Sequence, residues 1–298
     1  MTIHRFSTGE TLKHVVLILG AVVVLLPFYL MVSTSLKAPH EIETNRGGFL
    51  GQQELMVDEA CVRRGNAEAD CRQRPFVHNY TQAFEEAPLL RYLLNGVIVT
   101  VSIFVIQVIV ALPCAYALAK LRFRGRNLIF GAVIVCLLIP VHAIALPLYI
   151  GLAKAGLTNS YAALIIPWTI SAFGIFLMRQ FFMTVPDDLI DAARMDGMSE
   201  FAIVWRVMLP AAIPALLAFA IFSVVAHWND YFWPRIVITS SQELFTPPLG
   251  LREFKGEMAD HAYGPMMATA TIIVTPLIVA FLLAQRRFIE GITLSGMK

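Results

Sequence analysis

Six stretches of the chain carry no Asp, Glu, Lys or Arg: residues 14–36, 92–119, 127–153, 155–178, 207–229 and 262–285. Each is 23–28 residues long, and together they make up half of the 298 residues. A helix rises about 1.5 Å per residue and the bilayer's hydrocarbon core is about 30 Å thick, so about 20 apolar residues cross it once. Every window is long enough for one crossing and too short for two. Helices of soluble proteins average about 11–12 residues. Only 15% of the chain is charged, against about 25% in soluble domains. The chain reads as an all-α integral membrane protein with six transmembrane helices, over 14–36, 92–119, 128–150, 161–183, 211–233 and 263–285. The fourth window opens on the polar Gly156-Leu157-Thr158-Asn159-Ser160, which moves its helix start to Tyr161. The first window exceeds the roughly 7–15 residues of a cleavable signal's apolar core, and no small-residue cleavage site follows it. It reads as a retained helix.

Six crossings put both termini on one side, and positive charge selects the side. Lys120, Arg122, Arg124 and Arg126 crowd between the second and third windows without an acid among them. Arg286 and Arg287 follow the sixth, and Arg5 and Lys13 precede the first. With these inside, segments 1–13, 184–210 and 286–298 are cytoplasmic, and loops 37–91 and 234–262 lie outside. The first outer loop has seven Lys or Arg of its own, but they are interleaved with nine acids, and long loops weigh less in this rule. It also holds Cys61 and Cys71. An outside compartment permits a disulfide between them; a pair of free thiols is the other reading. Cys114 and Cys136 fall inside helices, where Cys acts as a small hydrophobe.

Polar side chains are scarce at membrane depth: Asn95, Gln107, His142, Ser171, Ser223, His227 and Asn229. Such groups face a bundle interior or a wet cavity. They fit a translocation path for some of these residues, and for any single one helix-to-helix hydrogen bonding is the favoured reading. No His or Cys spacing suggests a metal, and no nucleophile–base pair suggests catalysis.

One stretch breaks the oily pattern. Asp191, Arg194, Asp196, Glu200 and Arg206 crowd into sixteen residues of DAARMDGMSEFAIVWRVMLP, residues 191–210. Pro186 suits a first helical turn, and Asp187, Asp188 and Asp191 suit the positive end of a helix dipole. Gly197 suits a left-handed helix end. Ser199 is placed to cap a second helix from Glu200 to about Met208. The pattern predicts helix, turn, helix, its tip near 195–199, its small alanines open to close approach. A docking knob and an amphipathic helix lying on the membrane both satisfy it.

The spacing resembles the permease subunits of ATP-binding-cassette (ABC) importers. Their last cytoplasmic loop carries Glu-Ala-Ala, three residues, Gly, nine residues, Ile, any residue, Leu-Pro. Here it reads Asp191-Ala192-Ala193, Gly197, Val207, then Leu209-Pro210, with the same spacing and two conservative departures. The remainder is similar to the maltose-type second permease of the carbohydrate branch. Ser35-Leu36-Lys37, Asn95, residues 115–119, Arg122–Asn127, residues 228–234 and 285–291 carry that likeness. Residues 41–80 are longer than usual for the family, so no role carries over to them.

The resemblance implies a type I ABC importer permease fold over about 88–290, in a multi-pass protein of the bacterial inner membrane. It implies that Asp191, Ala192, Ala193, Met195, Gly197 and Ser199 dock on an ATP-binding subunit as the coupling helix. The implied partners are a second permease forming a heterodimer, an ABC ATPase dimer and a periplasmic solute-binding protein. The loop at 236–262 would reach into that binding protein, and the tail from Ile289 toward the ATPases. ATP and Mg would sit on the ATPase chains, and no cofactor on this one. No Gly-x-x-x-x-Gly-Lys-[Ser/Thr] loop occurs here. Nucleic acid is not an implied partner. Other readings are a permease for a non-sugar solute, a secondary transporter, which would show inverted repeats or buried ionisable residues, or a membrane enzyme, for which no catalytic set appears.

Overall fold

A computed structural model describes residues 8–44, 48–252 and 263–295. The chain divides into two compact units. One comprises residues 1–89 and 251–274, and the other residues 90–250 and 275–298.

In the first unit, α1 (Thr8–Ser35) is a long apolar helix. Its large side chains from Val15 to Leu30 are exposed, a face that suits lipid. The loop that follows is held by polar contacts. Glu41 accepts from the Ala38 and Gln52 amides, inside the short α2 (Pro39–Thr44). A two-residue antiparallel ladder pairs β1 (Met56–Val57) with β2 (Arg72–Gln73), Met56 opposite Gln73. Between the strands lies α3 (Glu59–Arg63), and Cys61 is bonded to Cys71 at 2.01 Å. Next, α4 (Pro75–Glu85) starts on a proline, where the missing N–H costs nothing. Its buried Asn79 donates to the Ser35 and Lys37 carbonyls at 3.0 Å each, satisfying the end of α1.

The second unit opens with α5 (Leu89–Lys120), 32 residues long and unbroken at Pro113. The third expected span, 128–150, is not one straight helix. Instead α6 (Arg126–Leu138) and α7 (Val141–Lys154) meet at 100°. Pro140 has no N–H to continue the ladder, and its ring drives Ile139 into extended backbone at ψ 120°. Pro147 sits inside α7 without breaking it. The fourth expected span is interrupted too. It comprises α8 (Tyr161–Ile165), a 3-10 turn (Ile166–Trp168) and α9 (Ala172–Thr184).

An elbow of α10 (Asp187–Met195) and α11 (Glu200–Ile203) follows, running through a π turn (Val204–Met208) into α12 (Leu209–Ala211). The fifth expected span is α13 (Ile213–Trp228), continued after a break by α14 (Phe232–Val237). Asp230 caps that restart, accepting from the Trp233 N–H at 3.1 Å. The short α15 (Pro247–Gly250) precedes α16 (Tyr263–Ser295), which runs past the expected end at 285. Among the described residues, five helices are long and apolar enough to span, or six with the bent pair counted as one.

Two apolar clusters hold the second unit. One gathers Leu112, Ala115, Tyr116, Met178, Phe182, Ile190, Ala193, Ile203 and Met208 at the elbow. The other packs Val99, Ile103, Leu164, Trp233 and Val237, with the Trp233 indole N–H donating to the Ala163 carbonyl at 2.9 Å. Where α9 meets α13, Gly174 lies against the Phe219 ring, leaving no room for a Cβ.

Candidate functional site: an exposed elbow and a polar cluster

The elbow's first helix begins one residue later than a first-turn Pro186 suggests, because Pro186 takes the cap position with extended backbone (ψ 139°). Asp187 and Asp188 occupy the first turn and Arg194 the last, each at the end of the dipole that favours its charge. The helix stops in a Schellman turn. Gly197, at φ +78°, donates to the Arg194 carbonyl (2.9 Å), and Met198 donates back to Ala193 (3.0 Å). Ser199 then caps α11, accepting from the Ala202 N–H at 3.3 Å. The backbone is that of a sharp knob, and its hydrogen bonds are closed within the knob.

Ile190 and Ala193, three positions apart, turn inward to the apolar cluster. Ala193 is 3% exposed, so its expected place on the docking surface is corrected. It is the foot of the knob, and close packing beneath is what its small side chain serves. The remaining candidates Asp191, Ala192, Met195, Gly197 and Ser199 are exposed. Met195 is 88% exposed, far beyond what a soluble surface asks of a methionine. Phe201, which the sequence pattern did not single out, is also exposed, and its ring leans on Trp205. A Cβ built on Gly197 meets nothing within 4 Å, so the space over the turn is open.

Charge ties the knob together. Arg194 donates through Nε to Glu200 at 2.8 Å and through a terminal nitrogen to Asp191 at 3.0 Å. Glu200 also accepts from the buried Tyr116 hydroxyl at 2.5 Å. Lys120 donates to Asp187 at 2.5 Å and to the Val185 carbonyl at 2.6 Å. The Arg194 hydrogen bond, helped by Tyr116, holds the Glu200 carboxyl below the usual carboxylate range. The Lys120 hydrogen bond does the same for Asp187. Tyr116, Lys120 and this use of Glu200 were not legible locally, since the partners lie 84 and 67 positions apart. The one available signal was Lys120 itself, the first charge after a long apolar run.

The candidates for a translocation path separate into groups. Gln107, Ser223 and His227 come together. The Gln107 amide donates to the Trp168 carbonyl at 2.7 Å and lies 3.2 Å from His227 Nε2, while its oxygen accepts from Ser223 at 2.7 Å. Trp168 was not foreseen. Its ring lies 6.0 Å from that of His227, and the broken backbone between α8 and α9 frees its carbonyl. Asn95 is a buried strut instead. It donates to the Glu243 and Phe245 carbonyls and accepts from Tyr161, and at 0% exposure it is closed to a solute in this conformation. Ser171 is the cap of α9, accepting from Gly174. Asn229, just past the end of α13, donates to the Val225 carbonyl of that helix. His142 is exposed, its ring 4.4 Å from that of Phe232. Among the described residues no group of His, Cys, Asp and Glu has the arrangement of a metal site.

Residues 107–293 match the family described as binding-protein-dependent transport system inner membrane component. The chain is 34% identical over 221 residues to the arabinooligosaccharides transport system permease protein AraQ of Halalkalibacterium halodurans, covering 74% of this chain and 78% of that protein. It is 28% identical over 285 residues to the diacetylchitobiose uptake system permease protein NgcG of Streptomyces coelicolor, covering 95% and 87%. It is 35% identical over 201 residues to the sn-glycerol-3-phosphate transport system permease protein UgpE of Yersinia pestis, covering 67% and 71%. A crystal structure of a bacterial ABC transporter involved in the import of the acidic polysaccharide alginate contains a chain of the same fold. Its TM-score is 0.78 at 22% identity, covering 96% of this chain and all of that one.

Proposed function

The chain belongs to the family of binding-protein-dependent transport inner membrane components, and from that premise we propose that it is a permease subunit of an ABC importer. Its cargo is a carbohydrate or a close relative, such as an oligosaccharide, glycoside or polyol derivative. Relatives named for arabino-oligosaccharides, diacetylchitobiose and glycerol-3-phosphate support that class. The observation that carries the reading is the elbow. It is an exposed knob with internally satisfied backbone, a bare glycine turn and an outlying methionine, and a soluble subunit has to cover it.

The mechanism follows from that shape. The knob seats in a cleft of an ATP-binding subunit, with Asp191 offered to a basic or amide group and Gly197 letting the cleft approach its backbone. ATP and Mg are held by the ATPase dimer, and hydrolysis belongs to those chains. Closure of the dimer moves the knob, and the helices fixed to it change between inward- and outward-facing arrangements. A second permease completes the pathway and an external binding protein delivers the solute. Both termini and the elbow are cytoplasmic, and the disulfide-bearing loop is periplasmic.

The test is Gly197→Trp. A Cβ at this position meets nothing of this chain within 4 Å, and the left-handed backbone adds about 1–2 kcal/mol of strain. The variant should remain in the membrane fraction with its partner permease, lose the co-purifying ATPase, and lose ATP-dependent uptake. Wild-type uptake by this variant overturns the docking assignment. Purification of the wild-type chain in mild detergent with no ATPase attached overturns the importer reading.

A further inference from the structure

The elbow is continuous in sequence with α9 and α13, but its polar side chains grip a different helix. Tyr116 and Lys120 lie four residues apart on α5, one above the other on the same face. Lys120 holds the entry of the elbow at Val185 and Asp187, and Tyr116 holds the start of its second helix at Glu200. Lys120 is itself only 8% exposed. The Tyr116 grip extends outward across the knob, because Arg194 bonds Glu200 and Asp191 together. A continuous chain of hydrogen bonds runs from the exposed carboxylate of Asp191 through Arg194 and Glu200 to the Tyr116 hydroxyl.

The apolar cluster beneath the knob also touches α5, through Leu112, Ala115 and Tyr116. Dispersion contacts resist separation but tolerate sliding, whereas a hydrogen bond fails within about an ångström of its optimum. The polar grips therefore fix register. Farther along the same helix sits Gln107, nine residues from Tyr116 and about 14 Å along the axis. Gln107 joins α5 to Trp168, Ser223 and His227. One rigid helix thus has polar clamps to the elbow at one end and to the intramembrane cluster farther up.

Resting on the importer reading above, we propose that Tyr116 and Lys120 are positioning residues that latch the elbow to α5, making α5 the lever that carries elbow motion to the Gln107–Ser223–His227 cluster. Packing alone would hold the elbow in place, and the latch sets how much of its movement reaches the pathway. Loss of the latch should uncouple hydrolysis from transport rather than abolish assembly.

The experiment uses the whole transporter with its binding protein in proteoliposomes, measuring solute accumulated per ATP hydrolysed. Tyr116→Phe removes one oxygen and Lys120→Met removes one charge, while Lys120→Arg keeps a cation donor. Both disruptive variants should retain the ATPase subunits and hydrolyse ATP at a rate near wild type. Uptake per ATP should fall by about tenfold or more, as expected for losing a hydrogen bond to a charged group. Lys120→Arg should restore most of it. An unchanged ratio in both disruptive variants overturns the latch, and so does a parallel fall in hydrolysis and uptake, which marks a docking role instead. If Lys120→Met fails to assemble, Tyr116→Phe decides the question. Failure of the wild-type complex to couple uptake to ATP would instead strike the importer reading, leaving the two failures distinct.

Discussion

At the scale of single residues, the decisive feature is that Asp187, Asp191, Arg194 and Glu200 are paired while exposed. Glu200 and Asp187 both sit below their ordinary range because each accepts from a cation. A carboxylate whose folded value is depressed contributes stability above its unfolded value, about 4, and loses it as pH falls through the folded value. Protection of the 196–198 amides, once the intrinsic pH dependence of exchange is divided out, should therefore hold from pH 7 to about pH 4 and fall below. In Glu200→Gln that acid response should shrink, leaving the part due to Asp187; an identical response would mean Glu200 does not hold the turn. Deeper in the chain, Gln107→Leu strands the Trp168 carbonyl and the Ser223 hydroxyl in an apolar setting. Leaving such groups unpaired costs about 1–3 kcal/mol, so the purified chain should melt lower. A matching Asn95→Leu should cost at least as much, since Asn95 makes three hydrogen bonds.

At the scale of elements, the spans were readable and their breaks were not. Charge is so costly in hydrocarbon that its absence over 23–28 residues marks a span from composition alone. Proline does not carry equal information. Pro113, Pro147 and Pro276 lie inside continuous helices, whereas Pro140 turns the chain through 100°. The difference is tertiary, because neighbouring side chains decide whether a missing bond is absorbed or becomes a corner. Local rules did locate the elbow's turn, because Gly197 and Ser199 act through their own backbone. They misplaced Ala193, because which side of a short helix faces a core depends on what packs there. Pro140→Ala restores the missing donor and should straighten the pair. Spin labels at 128 and 150 lie about 20 Å apart across the corner and would lie about 33 Å apart on one straight helix. The measured distance in the variant should shift toward the longer value; an unmoved distance would show that packing, not proline, makes the bend.

At the scale of the whole molecule, the proposed orientation can be read with a single label. With Cys114 and Cys136 replaced by serine, Met195→Cys places a thiol at one of the most exposed sites in the chain. In inside-out vesicles made from cells that lack the ATPase, a membrane-impermeant maleimide should label it, and in intact cells it should stay untouched. The opposite pattern would invert the topology and move the elbow away from any ATPase. The Cys61–Cys71 bond is consistent with the same orientation, since its loop then lies in the oxidising compartment. What the sequence could not express is the pairing of α5 with the elbow, because such contacts join residues 67 and 84 positions apart. The corner at Pro140 also bears on how the chain is made. Each arm, α6 or α7, rises only about 20 Å, short of the about 30 Å of hydrocarbon. Neither arm is a complete ticket out of the translocon. The two must pass into lipid together, already leaning on a neighbouring helix that shelters the carbonyl Pro140 leaves bare, so biogenesis of this segment waits on the helices around it.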